Sequence, residues 1–372
     1  MLSPFPWVSP TAIHVLSRRD NRGSVHPATC QEMLLHPSSR RLRKNHRITL
    51  SVLLLVAAGM AVWFFLFWRA PQVSGPLRQE VYVWQRAWTK PVRDAVAQHA
   101  TNFAAIAVLR AEISWSSNRQ PQLIRANVDY ETLAQARRPV GLALRIGPYA
   151  GPFTNDAAAR FITDTAGRIV ADARTNGVTL AELQIDFDCA ESKLDGYRGW
   201  VEAIQRRVAP LPVTITALPS WLDSHAFKRL AGVATNYVLQ VHSAARPKDS
   251  TTPFTLCDPR AARRAVESAG RIGVPFRVAL PTYGYQMAFA ADGKFISLSA
   301  EGPRPNWPTN ALIRNVESDA PELAELVRGW TSSRPAAMRG VIWYRLPVAS
   351  DKFNWNWPKL DGVMTGRGRE KP

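Results

Sequence analysis

Strand-length apolar runs alternate with helical patterns from Val81 to Leu346, and this alternation limits the fold more than any other feature of the chain. The runs are 81–84, 104–109, 140–146, 183–188, 213–217, 237–241, 276–280 and 340–343. They are nearly continuous in apolar character, as parallel strands covered on both faces must be. Between them, Tyr197, Trp200, Val201, Ile204 and Val208 form an i, i+3, i+4, i+7 stripe. Asp258-Pro259 supplies an N-cap acceptor followed by proline at the first helical position. Phe161, Ile162, Thr165, Ile169 and Val170 mark another helix, and Leu323, Leu326, Val327 and Trp330 mark the last. Residues 129–136 are assigned as the helix after the second strand. Eight strand–helix units over about 270 residues predict an α/β fold, a (β/α)8 TIM barrel. A long excursion after the seventh strand, 285–316, carries a hairpin signal at Asp292-Gly293 and reads as a small insertion.

The N-terminal part reads differently. Residues 48–68 carry no charge and are long enough to span a bilayer. Arg40, Arg41, Arg43, Lys44 and Arg47 precede them, which keeps the N-terminus cytoplasmic and exports the chain beyond residue 68. Trp63 and Trp68 lie in the outer half. The exit, Phe67-Trp68-Arg69-Ala70-Pro71, offers no small-x-small cleavage site, so a signal anchor is expected rather than a cleaved signal peptide. The expected organisation is a basic cytoplasmic tail at 1–47, an inner-membrane anchor at 48–68, a linker at 69–80, an extracytoplasmic or periplasmic barrel at 81–361, and a disordered tail at 362–372. Pro71, Gly75 and Pro76 mark the linker. Met33 offers an alternative start that leaves a shorter basic tail.

The formal charge is +18, from 47 Lys and Arg against 29 Asp and Glu. The basic residues are scattered except for the cluster before residue 48, so nucleic acid is not expected as a partner, while an anionic glycan stays open. Cys30, Cys189 and Cys257 show no metal-ligand spacing. Two readings of Cys189 and Cys257 stand: free buried thiols, or a disulfide across the barrel mouth in an oxidising compartment. No phosphate-binding glycine loop, metal motif or serine triad is present, and neither cofactor nor metal is expected.

Chemistry concentrates in Leu183-Gln184-Ile185-Asp186-Phe187-Asp188. Side chains alternate along a strand, so Gln184, Asp186 and Asp188 share one face. Carboxylates closing an apolar strand are costly unless something uses or pairs them, and the C-terminal strand ends are where such barrels build active sites. The other strand ends offer Trp84 and Arg86, Glu112, Arg145, Trp221, Gln240 and His242, Tyr283 and Tyr285, and Trp343. Aromatic rings suit the apolar faces of sugars, and polar groups suit their hydroxyls. Cleavage of a glycosidic bond needs a proton donor of raised pKa and a second group that stabilises an oxocarbenium-like centre. Asp188 is the candidate donor and Asp186 its partner, each raising the other's pKa. Structural roles compete at several positions: Asp186 as a buried ion pair with Arg145, His242 as a lining residue, Trp84 and Trp343 as core, Glu112 as surface.

These residues resemble the chitinase-like glycoside hydrolases, whose Asp-x-Asp-x-Glu signature ends strand four. Gln184-x-Asp186-x-Asp188 stands in that place. The resemblance puts Asp188 in the acid position and Asp186 in the positioning one, with Gln184 and the shorter acid as departures. Pro281-Thr282-Tyr283-Gly284 looks like that group's Pro-x-Tyr-Gly, and Gly340-x-x-Trp343 is similar to its strand-eight tryptophan motif. More closely, the exported part resembles the bacterial domain of unknown function 3142, on Val81-Tyr82-Val83-Trp84-Gln85-Arg86, on residues 183–188, and on Thr216-Ala217-Leu218-Pro219-Ser220-Trp221. The expected function is a membrane-anchored exported glycoside hydrolase acting on a cell-envelope or extracellular glycan. The alternative is a non-catalytic glycan-binding barrel in polysaccharide assembly or export. An esterase or deacetylase would need a nucleophile elbow or metal ligands, and the sequence has neither.

Overall fold

The computed structural model describes residues 51–60, 70–116, 120–154, 156–242, 247–299 and 306–367. Eight parallel strands form the central sheet: β1 (Arg78–Val83), β2 (Ala105–Trp115), β3 (Val140–Ile146), β4 (Leu180–Phe187), β5 (Val213–Ala217), β6 (Asn236–Gln240), β7 (Phe276–Pro281) and β8 (Met338–Tyr344). Each pairs with the next in chain order, and β8 pairs with β1, so the sheet closes into a barrel. All eight runs expected from the sequence are strands. Helices follow the strands: α1 (Lys90–His99), α2 (Tyr130–Gln135), α3 (Asp156–Thr175), α4 (Leu194–Val208), α5 (His225–Val233), α6 (Pro259–Ile272), α7 (Ala320–Ser332) and α8 (Trp357–Met364). The α4 stripe is buried as expected. Asp258 caps α6 by accepting from the backbone N–H groups of Arg260 and Ala261, and Gly273 ends that helix at a left-handed φ of 80°.

Three features differ from the sequence-based expectation. β2 runs to Trp115 and folds back on Pro121–Arg125 as an antiparallel hairpin. The segment expected as a free linker is fastened to the barrel: Gln72–Val73 pairs with Arg334–Pro335, Gly75 N–H donates to the Thr331 carbonyl at 2.9 Å, and β1 already begins at Arg78. Backbone donors between two prolines found partners that a composition argument does not register. α8 runs to Met364, past the boundary expected at 361, because Leu360 and Val363 are buried. No helix among the described residues is long and apolar enough to cross a membrane, and the expected span is only partly among them. Residues 51–60 are helical, and the rest of 48–68 lies outside the described residues, as do 1–47 and 368–372.

The insertion is a three-stranded antiparallel sheet with Gly284–Phe289 between Phe295–Ser299 and Leu312–Glu317. Its Tyr285, Met287 and Phe289 pack on Leu256 and Val316 as a core separate from the main one. Gly293 sits at φ 82° in the expected turn. Cys189 and Cys257 are free and buried, and burial pushes both thiols up to about 12.

The barrel interior has two halves. At the strand starts, Arg277 ion-pairs with Glu80 and, at 2.7 Å, with Glu182. Thr214 and Gln184 also donate to Glu182, each at 2.5 Å. A pocket of about 280 Å³ lies at this end, lined by Arg78, Glu80, Gly141, Glu182, Asn236 and Arg277 among others. Above it the interior turns apolar, with Tyr82, Trp84, Leu109, Val238 and Ile342. The remaining chemistry sits at the strand ends.

Candidate active site

Strand register builds the site. Glu112, Arg145 and Asp186 are Cα partners across β2, β3 and β4, so charges of alternating sign stand side by side at the mouth. Arg145 Nη1 lies 3.7 Å from Asp186 Oδ2. The other oxygen, Asp186 Oδ1, accepts from Thr216 Oγ1 at 3.0 Å and from Gln240 Nε2 at 3.2 Å. Asp186 is thus held from β3, β5 and the end of β6, and its ion pair with Arg145 is present as the sequence allowed.

Asp188, just beyond β4, is the contrasting case. Its Oδ1 is buried and has no hydrogen-bond partner among the described residues. Burial, reinforced by the Asp186 charge and opposed by Arg145, pushes this carboxyl up to about 7. One carboxylate is therefore pinned by donors and a cation, while its neighbour keeps a proton near neutrality. That separation of environments is what acid–base chemistry between two carboxyls requires.

Aromatic and polar groups surround the pair. His242 Nδ1 lies 3.2 Å from the Tyr283 hydroxyl, which lies 3.2 Å from that of Tyr285. His242 stacks on Tyr344 at 5.5 Å, and burial lowers its pKa to about 4, so it is a neutral imidazole. Tyr344 meets Trp84 edge-on at 5.3 Å. Arg86 makes a two-pronged bond to Glu112 at 2.5 and 2.9 Å. Asp186, Asp188, Arg145, Gln240, His242, Tyr283, Tyr285, Trp84, Arg86 and Glu112 are thus grouped at one end of the barrel.

Two expected residues fall elsewhere. Trp221 is buried against Phe227 in the main core. Trp343 is fully buried, donating Nε1 to Gln79 Oε1 at 2.7 Å. Parity explains the second: Trp343 shares the outer face of β8 with Val341, whereas Tyr344 shares the inner face with Ile342. Thr216 and Tyr82 belong to the interior face without having been singled out, and so does Tyr344, which the sequence offers at the same strand end as Trp343. The signal for Thr216 was the period-two placement of Thr214 and Thr216 in an otherwise apolar strand. Among the described residues, no three His, Cys, Asp or Glu side chains converge as metal ligands.

A family model described as "Domain of unknown function (DUF3142)" matches residues 137–349, more than half of the chain. The chain belongs to the DUF3142 family. In this DUF3142 protein the matched stretch contains β3 to β8, and with them Arg145, Asp186, Asp188 and Gln240. No curated protein matches the chain. Solved structures that it resembles include the spore cortex-lytic enzyme SleL of Bacillus cereus, at 11% identity and TM-score 0.56, covering 79% of this chain and 75% of that one. The chitinase of Chromobacterium violaceum matches at 13% identity and TM-score 0.53, covering 79% and 100%. The GH18 chitinase ChiB from the chitin utilization locus of Flavobacterium johnsoniae matches at 12% and 0.52, covering 79% and 94%. At such identities the likeness carries the fold alone: this chain is a TIM barrel, as those proteins are.

Proposed function

We propose that this DUF3142 protein is a glycoside hydrolase acting on a cell-envelope or extracellular glycan, exported and held at the membrane by residues 48–68. The observation that carries the reading is the contrast between Asp186 and Asp188. A carboxyl with a pKa near 7 and a buried oxygen without a partner is suited to protonating a leaving glycosidic oxygen. Asp186, fixed by Thr216, Gln240 and Arg145, supplies fixed negative charge for the positive centre that develops at the sugar. Trp84 and Tyr344 offer ring faces and edges to the sugar, and His242 and Tyr283 offer hydrogen bonds to its hydroxyls. The fold shared with glycan-cleaving proteins supports the substrate class. The uncharged run 48–68 and the arginines before it support the anchor and an extracytoplasmic barrel.

A second reading, a glycan-binding barrel without turnover, is favoured by Gln184. An amide rather than a carboxyl stands directly below Asp186, and it is committed to Tyr82 on one side and Glu182 on the other. Incubation with chitooligosaccharides, peptidoglycan fragments and uronic-acid polymers, with mass spectrometry for new reducing ends, separates the two. Cleavage by the wild type and not by Asp188→Asn supports the hydrolase. Binding of a glycan without cleavage supports the second reading.

A further inference from the structure

The barrel end opposite Asp186 and Asp188 is an arginine-rich face. Arg78 opens β1, Arg339 lies at the start of β8, and Arg137 lies in the α2–β3 loop. Arg174, Arg206 and Arg271 occupy the last turns of α3, α4 and α6. All six are exposed, and they come from different connections around the barrel, so they ring the face rather than mark one side. Four carboxylates near this level are held by arginines, while Glu267 on α6 is exposed and accepts from Gln72 at 3.4 Å. Glu80 and Glu182 are buried on Arg277, Asp172 holds Arg110 at 2.8 Å, and Asp361 holds Arg367 at 3.5 Å.

The helix dipole accounts for a cation in a last turn. It does not account for Arg137 or Arg339, which lie outside helices, whereas Arg78 is paired with Glu80 at 2.7 Å. Helix starts at the other end mix signs, with Asp195 paired to Arg229 at 2.8 Å, Asp258 and Asp319 as caps, and Lys90 and Arg260 in first turns. A second observation concerns the path of the chain. It joins the barrel at this same face, where Gln72–Val73 pairs with Arg334–Pro335 and Arg334 Nη1 donates to the Gly75 carbonyl at 2.7 Å. The described chain from Ala70 thus enters the barrel at this arginine-rich end, and the expected anchor at 48–68 precedes it closely in sequence.

We propose that this face docks on an anionic phospholipid surface, which turns the mouth with Asp186 and Asp188 away from the bilayer. The docking takes the anchor reading of residues 48–68 as its tether but does not depend on the hydrolase reading. Juxtamembrane arginines are each attracted to anionic headgroups, and the attraction fades with salt.

The test compares the full chain in nanodiscs of phosphatidylcholine alone and with added phosphatidylglycerol, by hydrogen–deuterium exchange. The expected result is slower exchange in 136–139, 175–178 and 273–275 with phosphatidylglycerol, none at 190–193, and loss of the effect at high salt. A triple Arg137→Glu, Arg174→Glu, Arg206→Glu variant, checked for an unchanged melting temperature, is expected to weaken the docked state by about a hundredfold. Equal exchange in both lipids, with the chain retained in the nanodisc, overturns the docking while leaving the anchor standing. Failure to enter nanodiscs of either composition refutes the anchor instead. The same chain is then sedimented with free vesicles, where binding to phosphatidylglycerol and not phosphatidylcholine upholds the face, and binding to neither overturns it. Equal binding to heparin or DNA overturns the assignment to lipid.

Discussion

Tyr82 donates its hydroxyl to Gln184 Oε1 at 2.7 Å, and Gln184 passes the contact on by donating Nε2 to Glu182 at 2.5 Å. The amide is thus the neutral link between the aromatic upper half of the barrel and the charged lower half. Gln184→Asp, which would restore the first position of the chitinase-like signature, removes the donor to Glu182 and buries another acid beside it. We expect a loss of about 2–4 kcal/mol at neutral pH, shrinking in acid where the new carboxyl is protonated. Chemical denaturation at two pH values checks this, and unchanged stability at pH 7 would contradict the proposed link.

Asp188 works as an acid only while protonated. With its pKa at about 7, kcat/KM on a cleaved glycan should fall as pH rises through about 7. Asp186→Asn removes the neighbouring negative charge and should move that limb to lower pH. Arg145→Gln removes the opposing cation and should move it higher. A limb that stays put in both variants would separate Asp188 from the activity.

The two aromatic neighbours on β8 should behave oppositely. Trp343→Phe loses a buried hydrogen bond to Gln79 and should cost about 1–2 kcal/mol of stability, with glycan affinity unchanged. Tyr344→Ala should lower glycan affinity. Titration calorimetry alongside thermal melts distinguishes them.

Removing Arg277 leaves Glu80 and Glu182 buried without their cation. Arg277→Met should therefore lose about 3–5 kcal/mol. Burial alone would raise the Glu182 carboxyl, but Arg277, with the bonds from Thr214 and Gln184, holds it below its ordinary value of 4.5. A carboxylate lowered in the folded state adds stability above its unfolded pKa and loses it as pH falls through the lowered value. The wild type should thus weaken below about pH 4.5, and the variant should lack this acid-side loss. Melts from pH 7 to pH 3 check both statements.

The barrel was legible because each strand carries a mostly apolar run of strand length, a pattern that local sequence holds even where polar residues such as Glu182, Thr214 and Arg277 interrupt the inner face. The acid pair was legible for a related reason, since Asp186 and Asp188 interrupt such a run. What escaped depends on register and tertiary contact. Trp343 and Tyr344 are neighbours in sequence, and only the phase of β8 decides which one looks inward. Thr216 is an ordinary strand residue until β4 places Asp186 within 3.0 Å of it. The fastening of Gln72–Val73 to Arg334–Pro335 joins parts of the chain too far apart for any local pattern to connect.

Arg277 serves two glutamates that come from β1 and β4, and each glutamate in turn leans on a second donor. Loss of Arg277 leaves both glutamates without their shared cation, and loss of either glutamate leaves Arg277 with one partner fewer. Across relatives of this chain, the positions of Glu80, Glu182 and Arg277 should therefore vary as a set, replaced together by apolar residues or retained together. That correlated drift would mark the floor of the barrel as a single heritable unit, separate from the mouth, where individual residues remain free to change the chemistry.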